Sequence, residues 1–271
     1  MNTWLTGSLG CIAGFLMSFH SQGASARAIL LEELTWMQAE QALKPETVIV
    51  IPLGAAAKEH GPHLKLKNDA ILAEYYKTRV LEKADVVIAP TINYHFYPAF
   101  VEYPGSTSLR LETARDLVVD IVRGLARFGP KRFYILNTGV STVRALQPAA
   151  ELLAADGILM TFTDLRSIEA VETKIRKQEG GTHADEIETS MTLYMQPEAV
   201  DMTKAVKDYR EGSGPLTRDA NSRTGIYSPS GVWGDATLAT REKGRIVTEA
   251  MVEVILRDIE QLRRAPIPVK K

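Results

Sequence analysis

Two periods of apolar residues run through this chain and divide it into elements. Val48 to Leu53 is an unbroken apolar run, mostly β-branched, and reads as a strand buried on both faces. Asp85 to Pro90, Arg132 to Leu136 and Ile158 to Thr163 carry the same signal. Between them the period lengthens. Leu31, Leu34 and Met37 predict a helix over Arg27–Leu43. Leu72, Tyr75, Tyr76 and Val80 form one stripe of a second helix, with Asn68 or Asp69 as its cap. Leu117, Val118, Ile121, Val122 and Leu125 mark a third, over 112–128, which Gly129 and Pro130 stop. A fourth covers Val143–Ala155, and 165–178 reads as charged helix. Ile187, Met191 and Tyr194 recur within Ala184–Met195, and Val247, Met251, Val254, Ile255, Ile259 and Leu262 line a last helix over 241–264. Residues 91–110 read as an aromatic loop and 206–237 as a long one. Strands that alternate with helices predict an α/β fold, with a mostly parallel central sheet and helices on both faces. There is no repeat and no linker, so residues 27–271 are expected to form one domain.

The chemistry gathers where the first long strand ends. Gly54 and three alanines allow a tight turn, and Glu59, His60, His63 and Asp69 follow within eleven residues. Open α/β sheets collect their ligands just past the carboxyl ends of strands. A phosphate-binding loop is disfavoured, because the segment from Gly54 to Lys58 lacks the later glycine such a loop needs.

Composition narrows the class. Of 271 residues, 45% are hydrophobic and 24% charged, as in an ordinary globular chain. The formal net charge of −1 gives no bulk attraction to nucleic acid or to an anionic membrane. Residues 1–26 contain no Asp, Glu, Lys or Arg, and Ala24-Ser25-Ala26 has the form of a cleavage site. The segment reads as a secretory signal peptide, which places the protein in the periplasm or outside the cell, with no membrane attachment after cleavage. The alternative is an uncleaved anchor, although the apolar part falls short of the roughly 20 residues that span a bilayer. Cys11 is the only cysteine, so the processed chain has no disulfide and no thiol nucleophile. Four histidines remain: His60, His63, His95 and His183.

Imidazole and carboxylate groups converging from distant segments suit a divalent metal. His60 and Asp69 are the leading pair, with Glu59 adjacent. Asp69 has a plainer reading as a helix cap, and either loop histidine as a hydrogen-bonded side chain. His183 opens a helix on this reading, with Glu186 on its face and Glu188 rotated about 140° away. The plainer role for these acids is to complement the helix dipole, which leaves His183 without an account. His183 is then a candidate for proton transfer. His95 is expected to pack among Tyr94, Phe96 and Tyr97. Trp233 and Asp235 stand in the late loop, where Trp233 is a candidate pocket-lining residue and a turn serves Asp235 equally well.

Five stretches together resemble the creatininase family. They are Ile51-Pro52-Leu53-Gly54; His60-Gly61-Pro62-His63-Leu64 with Asp69; Tyr103 to Leu109; His183 to Ser190; and Gly234 to Thr240. The resemblance spans residues 45–250 in order. It implies a three-layer α/β/α sandwich, a ring-like homo-oligomer, and a divalent metal centre (zinc, manganese or iron, one or two ions per chain) that hydrolyses a C–N bond of a small, sometimes cyclic, amide. It further implies Glu59, His60 and Asp69 as metal ligands, His183 and Glu188 as catalytic residues, Ser106 and Trp233 as substrate contacts, and a metal-activated water as nucleophile.

The chain departs from the family pattern at two places. The family's Glu, two before the His, is Lys58 here, with Glu59 one residue late. The family's second loop supplies a His and, in creatininase itself, a Glu; here Gly139 and Ser141 stand at those positions. Three outcomes follow: a single ion held by Glu59, His60 and Asp69 with His183 nearby; a second site rebuilt by His95 or Glu102; or a non-catalytic ligand-binding relative that has lost part of the metal centre.

Overall fold

The computed structural model describes Met1 and residues 28–270. Apart from Met1, the expected signal peptide lies outside the described residues. The main sheet has five parallel strands: β1 (Ile29–Leu30), β2 (Val48–Leu53), β3 (Val87–Ile88), β4 (Arg132–Asn137) and β5 (Leu159–Phe162), in the order β1-β3-β2-β4-β5. The two central strands pair along their whole length, from Val48 opposite Arg132 to Leu53 opposite Asn137.

Among the described residues, seven α-helices surround the sheet: α1 (Trp36–Ala42), α2 (Asn68–Lys83), α3 (Leu111–Ala126), α4 (Val143–Ala155), α5 (Glu169–Ile175), α6 (Glu186–Met195) and α7 (Arg241–Arg264). Alternation along the central strands sorts their side chains to two faces. Ile49, Ile51, Leu53, Phe133 and Ile135 pack with Val118 and Val122 of α3 and with Leu146 and Leu153 of α4. Val48, Val50, Tyr134 and Leu136 pack with Leu72, Tyr76 and Val80 of α2, Ile187 and Met191 of α6, and Val247, Met251 and Ile255 of α7. This is the three-layer sandwich. An apolar side chain buried as fully as these contributes roughly 1.5–3 kcal/mol, and both faces of β2 hold them. The unbroken apolar run in the sequence is therefore a strand covered on both sides.

Several elements differ from expectation. The helix predicted over Arg27–Leu43 is a short strand, a 3-10 turn at Leu31–Glu33, and α1. Thr35 and Gln38 form a capping box that starts the helix afresh at Trp36. Asp69 does not cap α2; the N-cap is Lys67, and Asp69 lies in the first turn with its carboxylate turned away from the helix end. The long loop contains four two-residue strands: β6 (Lys207–Asp208), β7 (Leu216–Thr217), β8 (Ile226–Tyr227) and β9 (Gly234–Asp235). β6 pairs with β9 and β7 with β8. Two-residue strands are too short to leave a periodic signal.

The carboxyl ends of β2 and β4 lie side by side, and the turn at each is tightly built. Thr138 Oγ1 donates to the carbonyls of Leu53 and Asp69, at 3.0 and 3.2 Å, which ties α2's first turn to both strands. A Cβ on Gly54 would lie 2.3 Å from the Asp69 carbonyl oxygen, so only glycine allows this approach.

Candidate metal centre

The loop from β2 to α2 carries Lys58, Glu59 and His60 into a buried cluster. Asp69 meets them from α2, and His183 and Glu188 meet them from the segment that opens α6. His60 Nδ1 donates to the Lys58 carbonyl at 3.0 Å. That bond fixes the ring and directs Nε2 towards Asp69 Oδ1 at 2.8 Å and Glu188 Oε1 at 3.5 Å. His183 Nε2 faces the carbonyl and a carboxylate oxygen of Glu59, at 3.1 and 2.7 Å. Both are acceptors, so Nε2 carries the proton, and Nδ1 is left facing Glu188 Oε2 at 3.7 Å. His183 thus has one nitrogen held by Glu59 and the other turned to Glu188, while His60 has one nitrogen held by the Lys58 carbonyl and the other shared between Asp69 and Glu188. Metal-binding histidines are oriented in this way. One ligand atom from each of His60, His183 and Glu188 lies within 4.8 Å of the others, the one such group of three among the described residues. The donor set of two imidazoles and a carboxylate fits zinc or manganese.

The approach of His183 to Glu188 depends on the backbone. His183 is not in the helix; it forms an antiparallel bridge with Trp233, with N–H to carbonyl bonds of 3.2 and 2.9 Å. Ala184 follows at φ 47°, the one non-glycine with positive φ among the described residues. Asp185 then caps α6, accepting from the Ile187 and Glu188 amides at 3.0 and 2.9 Å. The kink invalidates the helical-face argument: Glu188, not Glu186, meets His183. Its Oε2 also accepts from the Ala184 amide at 2.7 Å. Glu186 is instead buried against Lys243 and accepts from the Lys177 and Gln178 amides.

The expected ligands divide. Glu59 and Asp69 are in the cluster but outside the group of three. Glu59 holds His183, and its Oε2 accepts from the Gly61 amide at 2.7 Å. Asp69 is shared between His60 and the Lys58 ammonium, whose Nζ lies 2.8 Å from Oδ2. His183 and Glu188, expected as catalytic residues, are two of the three residues in the group that could hold a metal ion. Ser106 supports the loop, its Oγ accepting from the Glu59 amide at 2.8 Å. Trp233 holds His183 through its backbone, while its indole donates to the Arg210 carbonyl at 2.9 Å and stacks on Tyr209. Asp235 serves a turn, accepting from the Thr237 amide. His95 and Glu102, expected as compensating ligands, lie outside the group of three: His95 is buried with neither ring nitrogen partnered among the described residues, and Glu102 bonds Thr217 and the Arg218 amide. His63 reaches Thr189 at 2.7 Å.

The electrostatics follow from burial and pairing. Burial pulls the Lys58 ammonium down, but Asp69, Glu188 and Glu59 outweigh it and hold its pKa above the usual lysine value. Burial and Lys58 oppose a charge on His60, yet Asp69 and Glu188 raise it to about 9. Burial pushes the Asp69 and Glu188 carboxyls up; the cations beside each hold both below the usual range. Without an ion His60 carries a proton that a metal would displace. Phe100, missed in the sequence, covers the cluster, its ring centroid 4.2 Å from that of His183 and 4.8 Å from Lys58 Nζ.

The family described as Creatininase (creatinine amidohydrolase) matches residues 32–259. The chain belongs to the creatininase family. Its similarity to individual creatininase-family proteins is low but extends over most of the chain. The creatinine amidohydrolase of Pseudomonas putida is 27% identical, over 85% of this chain and 95% of that protein. The 3-dehydro-scyllo-inosose hydrolase of Thermotoga maritima is 27% identical, over 85% and 83%. The mycofactocin precursor peptide peptidase of Mycobacterium tuberculosis (strain CDC 1551 / Oshkosh) is 28% identical, over 80% and 86%. Among solved structures, a creatininase superposes with a TM-score of 0.72 at 25% identity, covering 88% of this chain and 98% of its own. A zinc–zinc form of a creatininase mutant gives the same TM-score and identity, covering 88% and 100%. These similar proteins are named for different substrates, so the family alone does not name a substrate for this chain.

Proposed function

We propose that this protein is a metal-dependent hydrolase that acts on a C–N bond of a small amide, cyclic or linear. The observation that carries the reading is the convergence of His60 and His183 on Glu188: each ring is held through one nitrogen, and the other faces Glu188, in His60 shared with Asp69. The similar hydrolases and the zinc–zinc creatininase support it. A divalent ion at these three residues would polarise the amide carbonyl and activate a water. The chain's own residues supply the rest. Glu59 holds the His183 ring and its tautomer. Lys58 sets a fixed positive charge on the far side of Asp69. Phe100 and Tyr97 shield the cluster from solvent.

A second reading is a ligand-binding relative without catalysis, favoured by Asp69 being engaged by Lys58 instead of left open. One experiment separates the two. The purified protein is assayed for bound zinc, manganese and iron after dialysis, then for amine or ammonia release from a panel of cyclic and linear amides, beside His60→Ala. Metal and hydrolysis lost together in the variant support the hydrolase. Metal retained stoichiometrically by His60→Ala excludes this centre, and a metal-bearing protein inert to every amide moves the reading to ligand binding.

The sequence supports three further parts of the proposal: residues 1–26 act as an export signal, residues 27–271 fold as one domain, and the protein works in the periplasm or outside the cell. Its membership of the creatininase family adds a fourth, assembly as a homo-oligomer. No helix among the described residues is long and apolar enough to cross a membrane.

A further inference from the structure

We propose that the Lys58 ammonium is a built-in cation that takes the place of a second metal ion beside Asp69, so that the centre holds one divalent ion and not two. The inference rests on the metal reading of His60, His183 and Glu188, and adds to it the number of ions and the residue that sets that number.

Asp69 is fully buried and divides its carboxylate between two cationic partners. Oδ1 lies 2.8 Å from His60 Nε2, and Oδ2 lies 2.8 Å from Lys58 Nζ. A carboxylate that bridges two cations is a common feature of dinuclear sites; here the outer partner is covalently part of the chain. Lys58 is itself only 5% exposed, so its charge is committed to the cluster and is not on the surface.

Aromatic rings close the other side of the ammonium. Nζ lies 4.8 Å from the Phe100 ring centroid and 5.7 Å from that of Tyr97, within the range of cation–π attraction. A dication there would need oxygen or nitrogen ligands; Phe100 supplies none and Tyr97 only its hydroxyl oxygen, too few to hold an ion with Asp69 alone. The polar groups at the end of β4 are engaged elsewhere: Asn137 Oδ1 accepts from the Gly139 amide and Thr142 Oγ1, Thr138 Oγ1 donates to the Leu53 and Asp69 carbonyls, and Ser141 Oγ donates to the Phe96 carbonyl. A Cβ on Gly139 would meet Thr142 Cγ2 at 2.9 Å and Tyr97 Cε1 at 3.1 Å, so Tyr97 takes the space that a side chain from that turn would enter.

The charges agree with one ion. Glu59, Asp69 and Glu188 bring three negative charges and Lys58 one positive charge. A single divalent ion makes this buried cluster neutral. A second would leave two uncompensated positive charges beside an ammonium, which a low-dielectric interior opposes strongly.

The test is stoichiometric. Zn2+ is titrated into the full-length protein, freed of metal by a chelator, and followed by calorimetry, with elemental analysis after dialysis. The wild type is expected to take one equivalent. Lys58→Glu, which replaces the ammonium by a second carboxylate beside Asp69, is expected to take two. Two equivalents in the wild type overturn the inference and leave the metal reading standing. So does a single equivalent in a Lys58→Glu protein whose circular dichroism shows that it is folded. No equivalent in the wild type overturns the metal reading, and this inference with it. The wild-type number decides the matter even where Lys58→Glu does not fold.

Discussion

Nε2 of His183 lies 2.7 Å from Oε1 of Glu59, a residue 124 positions earlier in the chain. Glu59 is held in turn by Ser106 at its amide and by the Gly61 amide at Oε2. The carboxylate is therefore fixed before it fixes the imidazole. Glu59→Gln keeps the shape and removes the charge. It also lets the side chain donate, which relaxes the preference for a proton on His183 Nε2. Partners of this kind typically contribute about 10–100-fold to metal affinity. Glu59→Gln is expected to weaken Zn2+ binding by about that factor with little change in melting temperature. Competition against a chromophoric chelator measures it; unchanged affinity would show that Glu59 does not act through His183.

Ala184 is the hinge that turns His183 towards Glu188. It is fully buried beside Leu64 and Val232, at φ 47°. A β-branched side chain is strongly disfavoured in that conformation, and extra methyl groups in a packed site commonly cost about 1–3 kcal/mol. Ala184→Val is expected to destabilise the fold by at least about 2 kcal/mol in urea unfolding. It should also reduce metal affinity, because His183 follows the backbone. Loss of stability with full metal affinity would mean that the kink is not what positions the ligand.

The kink also shows why part of the site was hidden in the sequence. Strand β2 and helices α4 and α7 were legible because each is one continuous pattern with clear ends. The cluster Glu59, His60 and Asp69 was legible because the residues are close in sequence and follow a strand. Glu188 was legible as a site residue, but its geometry with His183 was not. A helical wheel assumes helical backbone, and a single positive φ at Ala184 breaks that assumption. Lys58 stood out only as a departure from the family pattern. Its partner is across a loop in the first turn of α2, and pairing between elements leaves no periodicity to read. Capping for Asp69 was the commoner role for such a residue, and here Lys67 stands at the cap while Asp69 turns to the cluster.

Gly54 offers a test of how closely the scaffold holds Asp69. A Cβ there would sit 2.3 Å from the Asp69 carbonyl oxygen and 2.8 Å from Ala73 Cβ. Neither neighbour is a flexible side chain, so α2 must move. Gly54→Ala is expected to lower stability by about 1–3 kcal/mol. It is also expected to pull Asp69 away from Lys58 and His60, which lowers the raised pKa of His60. NMR titration of the His60 ring in metal-free protein reads the second effect. A His60 pKa that stays near the value of about 9 would mean that the strand end accommodates the methyl group without moving the carboxylate.

His95 tests the fold away from the metal. It is 1% exposed, neither ring nitrogen has a partner among the described residues, and its ring meets Tyr97 edge-on at 6.5 Å. Burial lowers its pKa to about 4 from the ordinary 6.5. The sign follows from linkage: above pH 6.5 the ring is neutral in both states and the fold loses nothing. As pH falls from 6.5 towards 4, the unfolded chain takes up a proton that the folded chain refuses, and stability declines. At about 1.4 kcal/mol per unit, the full window amounts to roughly 3 kcal/mol. His63, also lowered to about 4 by burial, titrates in the same window, so the comparison has to be with a His95 variant. His95→Phe removes two unpartnered polar atoms and keeps a ring of similar breadth. It should be close to neutral at pH 8 and more stable than wild type at pH 5. Urea midpoints across that range measure the difference. Parallel pH profiles for the two proteins would mean that His95 takes up its proton in the folded state.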